Sequence, residues 1–231
     1  MNPKIYPNIY SDTCCIVPMY NEGQVIFQVI TNLKSVFPFI LCVDDGSSDE
    51  SAAIAKDAGA TVIRHAVNIG QGAALSTGFS WVQNQSRFSY VVTFDADGQH
   101  RPQDALQLVS ELRNKNVDVV FASRFLEQDQ ATIPLTKRML LKSVTKITKA
   151  LTDVQLSDAH NGLRALTVEA TRAIDLTQNG MAHATQLVSL ILQANLKYTE
   201  VPVTVLYTPY SRSKGQSVFN SINIALDLIW G

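Results

Sequence analysis

Five short apolar runs recur along the first half of the chain, and each ends in a polar cluster. Cys14 to Val17, Phe39 to Val43, Ala60 to Arg64, Tyr90 to Phe94 and Val117 to Ala122 have the length and composition of strands. Unbroken runs of this kind mark strands buried on both faces. Between them, apolar residues recur at helical spacing: Val25, Ile26, Val29, Ile30 and Leu33 first, then Ala52, Ile54 and Ala55. Residues 73–84 and the stretch from Pro102 to Arg113 read as two more helices, and Ser47 or Ser48 is expected to cap the second of the four. Strands alternating with helices over short connections predict an α/β fold, with a mostly parallel central sheet and helices on both faces.

The polar clusters at residues 18–22, 44–49, 68–72, 95–100 and 123–124 all follow strands. In an open α/β sheet the ligand crevice lies at the carboxyl ends of the strands. Five separate features therefore converge on one edge of the sheet.

Beyond Arg124 the pattern changes. Residues 127–135 read as a polar loop, and Thr136 to Leu151 as a helix carrying Lys137, Arg138, Lys142, Lys146 and Lys149. Leu163 to Leu166 is expected to be a strand, residues 168–176 and 182–194 helices, and Tyr198 to Tyr207 a strand interrupted by Pro202. A basic loop from Ser211 to Ser217 and a closing helix from Val218 complete the chain, while residues 1–12, with Pro3 and Pro7, read as a loose arm.

Chemistry concentrates where Val91 to Phe94 run into Asp95-Ala96-Asp97-Gly98-Gln99-His100. Carboxylates two positions apart in an extended chain share a side. They repel unless one is protonated or a cation lies between them. A hard divalent cation, Mg²⁺ or Mn²⁺, suits such oxygens and leaves positions open for phosphate. Gln99 offers a further oxygen, and Gly98 lets the chain turn sharply. The plainer alternative is a polar strand end leading into a helix at Arg101-Pro102. Asp44 and Asp45 end another strand in a Gly-Ser turn, where a carboxylate can accept from ribose hydroxyls or a base N–H. Asp49 reads as turn chemistry plus a helix cap. Glu22 can serve beside them, and Arg124, Arg212 and Lys214 are cations able to clamp a diphosphate.

Composition narrows the classes. Net charge is −1 from 19 basic and 20 acidic residues, which argues against nucleic acid as a partner. Hydrophobic residues make up 46% of the 231, ample for a core. Cys14, Cys15 and Cys42 lie in apolar runs without metal-ligand spacing and read as reduced core thiols of a cytoplasmic protein. No apolar leader occurs near Met1, and no segment approaches the roughly 20 apolar residues of a spanning helix.

Four ordered motifs carry a resemblance: Pro18-x-Tyr20-Asn21-Glu22, Asp44-Asp45-Gly46-Ser47-x-Asp49, Asn68-x-Gly70-x-Gly72 and Asp95-Ala96-Asp97-Gly98-Gln99-His100. Together they resemble the family-2 glycosyltransferases, which have the GT-A fold. The nearest in kind are dolichol- or polyprenyl-phosphate sugar transferases and small bacterial cell-surface polysaccharide transferases. The likeness extends through Ala122-Ser123-Arg124, Asn161-Gly162-Leu163-Arg164-Ala165 and the loop from Arg212 to Ser217.

The resemblance implies one GT-A domain over residues 1–231, with 13–125 binding the nucleotide sugar and 126–231 the acceptor. It implies that Pro18, Tyr20, Glu22, Asp44 and Asp45 hold base and ribose, with Asp95 and Ala96 lining the donor site. Asp97 would bind the metal, with Asp95 and Gln99. Arg124, Arg212 and Lys214 would contact the diphosphate or acceptor phosphate. Asp97, Arg124 and His183 are the implied catalytic residues. The implied reaction is inverting transfer from a nucleotide-diphosphate sugar to polyprenyl phosphate or a glycan acceptor. A phosphate acceptor needs no strong base; a sugar hydroxyl would need one, and Asp158, His160 and His183 are the candidates.

Gln186 stands where similar proteins are expected to carry a carboxylate. That departure leaves a catalytically impaired nucleotide-sugar-binding relative as an alternative. A sugar-phosphate nucleotidyltransferase is another, but it would want a basic, glycine-rich loop after the first strand. A metal-binding receiver module would be much shorter. The closing segment places Val218, Phe219, Ile222, Ala225, Leu226 and Ile229 at helical spacing with Trp230 near the end. This helix can pack on the sheet; together with the basic set and the polyprenyl-phosphate acceptor that the resemblance implies, it is also expected to hold the protein peripherally at the inner face of the membrane. The same apolar face is open to a membrane-spanning partner or to a second copy of the chain.

Overall fold

The computed structural model describes residues 10–126, 156–180, 182–206, 208, 210 and 211. Seven strands form one sheet: β1 (Thr13–Met19), β2 (Phe39–Asp44), β3 (Thr61–Arg64), β4 (Tyr90–Thr93), β5 (Val119–Ser123), β6 (Arg164–Thr167) and β7 (Tyr198–Pro202). Among the described residues, the helices are α1 (Ile26–Lys34), α2 (Ser51–Asp57), α3 (Gln71–Gln83), α4 (Pro102–Lys115), α5 (Val168–Arg172) and α6 (His183–Gln193). Spatially the order is β3-β2-β1-β4-β6-β5-β7. β1 lies parallel between β2 and β4, and every residue in it is buried, as its unbroken apolar run requires. β3, at one edge, has no fully buried residue.

The sheet is parallel except at β6, which pairs antiparallel with both β4 and β5. Alternating strand residues feed two cores. Cys15, Val17 and Cys42 face α1, α2 and α4 through Ile30, Leu33, Ala55, Leu108 and Leu112. Cys14, Ile16, Leu41 and Val43 face α3, α5 and α6 through Leu75, Phe79, Val168, Leu187 and Ile191. Helices thus cover both faces, as expected. The cysteines are free and buried, and burial pushes the Cys14 thiol up to about 12.

Several expected boundaries move. α3 begins at Gln71 rather than 73, and the helix after β6 stops at Arg172. β5 starts at Val119 because Asn116 ends α4 in the left-handed conformation, at φ 49°, and the chain then turns. β7 stops at Pro202, earlier than expected, after which Val203 N makes one more bond to Ser123 O and Leu206 N turns to Gln99 O. Neither Ser47 nor Ser48 caps α2, whose N-cap is Glu50 without a side-chain bond. Both serines are committed elsewhere, as described next. The arm before Tyr10, the basic helical stretch, the loop from Arg212 and the closing helix lie outside the described residues.

Candidate active site at the carboxyl ends of the strands

The turns after β1 and β2 are stitched together. Asn21 adopts φ 53°, which lets its backbone N–H reach Ser47 Oγ at 2.9 Å while its side-chain oxygen accepts from Ser48 N at 2.9 Å. Glu22 N donates to Ser51 Oγ at 2.7 Å, and Gly23 N to Asp49 Oδ2 at 3.0 Å. Asp49 also accepts from Ser51 N two residues on, so it is turn chemistry, as read from sequence. Pro18 is buried in β1, Tyr20 is exposed at the turn, and Glu22 is half-buried, accepting a 2.7 Å bond from Tyr210 Oη. Burial and the Glu22 bond push the Tyr210 phenol up.

Asp44 and Asp45 part company. Asp44 is fully enclosed and accepts from Ser47 N and Ser47 Oγ. Arg64 Nε stands 3.1 Å from its other oxygen. This carboxylate holds its own turn, which corrects the expectation that it faces a ribose. Asp45 accepts from His65 Nδ1 at 2.7 Å, Ile69 N at 3.0 Å and Gly70 N at 2.7 Å. It thereby fastens the loop ahead of α3 to the end of β2. A carboxylate has about four lone-pair positions, so one acceptor position remains.

β4 ends at Thr93, and Asp95 to Gly98 form a turn, with Gly98 at φ 72°. The extended geometry expected to align Asp95 with Asp97 is therefore replaced by a turn. Asp97 accepts from Gln99 N at 3.0 Å and Gln99 Nε2 at 2.5 Å, so Gln99 meets it as a donor. Ala96 is buried behind them. Asp95 takes Gln71 Nε2 at 3.3 Å on one oxygen and His100 Nε2 at 3.1 Å on the other.

The two carboxylates differ in acidity. Burial, then the charge of Asp95, push Asp97 up to about 6. Burial also acts to raise Asp95, but the His100 hydrogen bond and the nearby Arg164 charge outweigh it and hold Asp95 low. A buried acid pushed up by its neighbours is relieved by a cation, and the oxygen-rich donor set fits Mg²⁺ or Mn²⁺. Among the described residues, no cluster of three His, Cys, Asp or Glu side chains meets metal-site spacing. Two carboxylates with open positions are nonetheless the kind of site such a cation shares with substrate phosphates.

Residues 157–164 form the remaining wall. Arg124 donates from its backbone N–H at 3.1 Å and from Nε at 2.6 Å to Asp158 Oδ2. Asp158 is buried and bound to this arginine, so it is not poised as a base. Glu200 accepts from Ser157 N at 2.9 Å and Asp158 N at 3.3 Å, locking the loop to β7. Arg164 is buried beneath, with Nη2 3.4 Å from the Ala159 carbonyl, and burial lowers it to about 10. Burial, then Arg164, also lower His160 and His183 to about 4. His183 Nδ1 donates to the Gly180 carbonyl at 2.7 Å. Gln186 accepts from Thr177 N at 3.0 Å and Gln178 N at 2.8 Å and donates to Thr177 Oγ1 at 2.7 Å. It ties down the irregular segment that crosses Gly72, whose N–H donates to Asn179 O at 2.9 Å.

Glu22, Asp45, Asp95, Asp97 and Arg124 thus all follow strands at one edge, and His183 reaches the same wall; Arg212 and Lys214 lie outside the described residues. Sequence reading did not single out Gln71, His100 or Tyr210 as individual contributors. It quoted Gly162 and Arg164 without giving them a role. Only the Gly in Asn161-Gly162 was a signal, since a glycine next to a strand often marks close backbone approach.

Comparison with known proteins places the chain in a family. Residues 14–174 match the model of glycosyl transferase family 2. The chain is similar to an uncharacterized protein of Methanocaldococcus jannaschii, at 34% identity over 93% of this chain and 89% of that one. It is also similar to a UDP-N-acetylglucosamine–dolichyl-phosphate N-acetylglucosaminyltransferase of Methanococcus voltae, at 29% identity over 93% of each. The fold is that of glucosyl-3-phosphoglycerate synthase from Mycobacterium tuberculosis, solved with Mn²⁺ and UDP-glucose. That match has a TM-score of 0.69 and 16% identity over 95% of this chain and 77% of that one.

Proposed function

Since the chain belongs to glycosyl transferase family 2, we propose that it moves a sugar from a UDP-sugar to a polyprenyl phosphate, with inversion at the anomeric carbon. One observation carries the choice of acceptor. Among the described residues of the site wall, the three candidate bases are unsuited to deprotonating a sugar hydroxyl. Asp158 is tied to Arg124, and His160 and His183 are lowered to about 4, too weak as bases. A phosphate monoester arrives already ionised and needs no such base. The names of relatives support the same acceptor and a uridine nucleotide.

In this reading Glu22 and the spare acceptor position of Asp45 meet the nucleoside. Asp95 and Asp97 hold Mg²⁺ or Mn²⁺, which supplies positive charge against the departing diphosphate. Arg124, oriented by Asp158, contributes a fixed guanidinium to the same charge. The acceptor phosphate oxygen attacks the anomeric carbon from the face opposite the leaving group. The bond from that carbon to the diphosphate oxygen breaks, and UDP departs with the electron pair. His183, kept neutral, packs the wall without competing for the anion. Gln186 is engaged by its loop through three hydrogen bonds, which gives it a structural role of its own.

Among the described residues no helix is long and apolar enough to cross a membrane. We propose peripheral association through the basic set and the closing helix, both outside the described residues. Co-sedimentation with anionic vesicles at low salt tests this, and retention in the supernatant overturns it.

The decisive assay offers UDP-, GDP- and dTDP-sugars with Mn²⁺ to a short-chain prenyl phosphate and, separately, to neutral sugars. Transfer to the prenyl phosphate is expected. Transfer to a sugar hydroxyl alone overturns the acceptor assignment.

A further inference from the structure

The imidazole of His100 is placed by three constraints. Its side chain is 4% exposed. Its ring meets Phe94 edge-on, with centroids 5.7 Å apart at 71°. Its Nε2 lies 3.1 Å from Asp95 Oδ2, whereas its Nδ1 is buried with no hydrogen-bond partner among the described residues. A proton on Nδ1 alone would be stranded and would set a bare Nε2 lone pair against the carboxylate. The ring therefore presents an N–H at Nε2 to Asp95. A buried group left half-satisfied in this way calls for an explanation.

We infer that His100 is a positioning residue that presets Asp95 for a divalent cation, and this rests on the metal reading above. Asp95 is held from three directions: Gln71 on Oδ1, His100 on Oδ2 and the Gly162 backbone against its face. Of these, His100 is the one fixed by aromatic packing. This N–H fixes the direction of the carboxylate from a ring that packing holds in place. Arg101, next along the chain, is drawn to Asp104, with bonds of 3.0 and 2.7 Å. Partners that orient metal ligands typically change metal affinity about 10–100-fold when removed.

The test compares His100→Phe, which keeps the ring packing and removes the donor, with His100→Gln, which carries an amide N–H at similar reach. Mn²⁺ binding to the purified protein is measured by isothermal titration, with UDP binding in the absence of metal and thermal stability alongside. Expected are about tenfold weaker Mn²⁺ binding for His100→Phe and binding within about threefold of wild type for His100→Gln. Metal-free UDP affinity should be unchanged, and the KM for Mn²⁺ should rise while kcat recovers at saturating metal. Mn²⁺ affinity unchanged in His100→Phe overturns the inference, even if stability falls. Equal loss in both variants also overturns it, because the donor would then not matter. Should His100→Phe fail to fold, His100→Gln decides by itself: binding weakened about tenfold or more counts against the inference. If the wild-type protein binds no Mn²⁺, the metal reading itself fails and this inference with it, a result distinct from the others.

Discussion

The α-carbon of Gly162 packs against the carboxylate of Asp95: a methyl group at position 162 would stand 2.1 Å from Oδ2 and 2.2 Å from Oδ1. Gly162 is also anchored through its carbonyl, which accepts from Thr93 Oγ1 at 2.7 Å. Neither side can yield cheaply. Gly162→Ala should displace Asp95, weaken Mn²⁺ binding and cost about 1–3 kcal/mol, as overpacking does. Urea unfolding and metal titration check this, and an alanine variant with normal metal affinity contradicts it.

Asp97→Asn should abolish turnover with the fold intact, because it removes a carboxylate from the cation site. The pH dependence has a definite sign. The folded-state value of about 6 lies above the ordinary 3.8, so the folded protein binds the extra proton. This carboxylate therefore lowers wild-type stability as pH rises from about 4 to about 6, and no further above that. The asparagine variant should gain on wild type across that window in thermal melts. Mn²⁺ affinity of the wild type should rise over the same window and level off above it.

His183 behaves in the opposite sense. Its folded value of about 4 lies below the ordinary 6.5, so acid favours the unfolded chain. Its contribution to stability is lost as pH falls from about 6.5 towards 4. His183→Gln should be less stable than wild type at neutral pH, and the gap should narrow below pH 6. If the gap is constant with pH, His183 is not held neutral by burial.

Asp158 distinguishes structure from catalysis. Removing one partner of a buried ion pair costs about 3–5 kcal/mol. Asp158→Ala should show a loss of that size and free the Arg124 side chain, raising the donor KM. A general base would behave otherwise, with kcat lost and stability kept. Denaturant unfolding beside steady-state kinetics separates the two.

Gln186→Glu restores the carboxylate expected from resemblance. Either side chain can accept from Thr177 N and Gln178 N, and the Thr177 hydroxyl can donate in place of accepting. The expected outcome is stability within about 0.5 kcal/mol of wild type, as for a substitution that spares its contacts, and unchanged kcat. A large gain in activity would show that position 186 takes part in chemistry.

Much of the architecture was legible because it is local. The runs that became β1, β2 and β4 lack polar interruptions, and α1 and α4 keep their apolar faces at helical spacing. The boundaries that moved are those decided by neighbours. Pro202 looked like an interruption in a long strand because residues on both sides are apolar. Val203 N makes a last bond to Ser123 O of β5 at 2.9 Å, and residues 204–206 leave the sheet.

The sequence by itself determined that polar clusters would follow the strands, that such clusters would share an edge, and that Gly98 would let the chain turn sharply after Asp97. Hydrophobic period and turn chemistry act over a few residues, so they can be read without the fold. Only the tertiary structure decided what each cluster does. The antiparallel entry of β6 between β4 and β5 lays Gly162 on Asp95 and sets Arg164 beneath it. The same loop carries Asp158 to Arg124, 34 residues away, and turns a candidate base into an anchor. Ser47, a plausible cap by position, bonds Asn21 instead, 26 residues back. A side chain's acidity and its hydrogen-bond partner depend on which distant segment closes over it, and no local pattern encodes that closure.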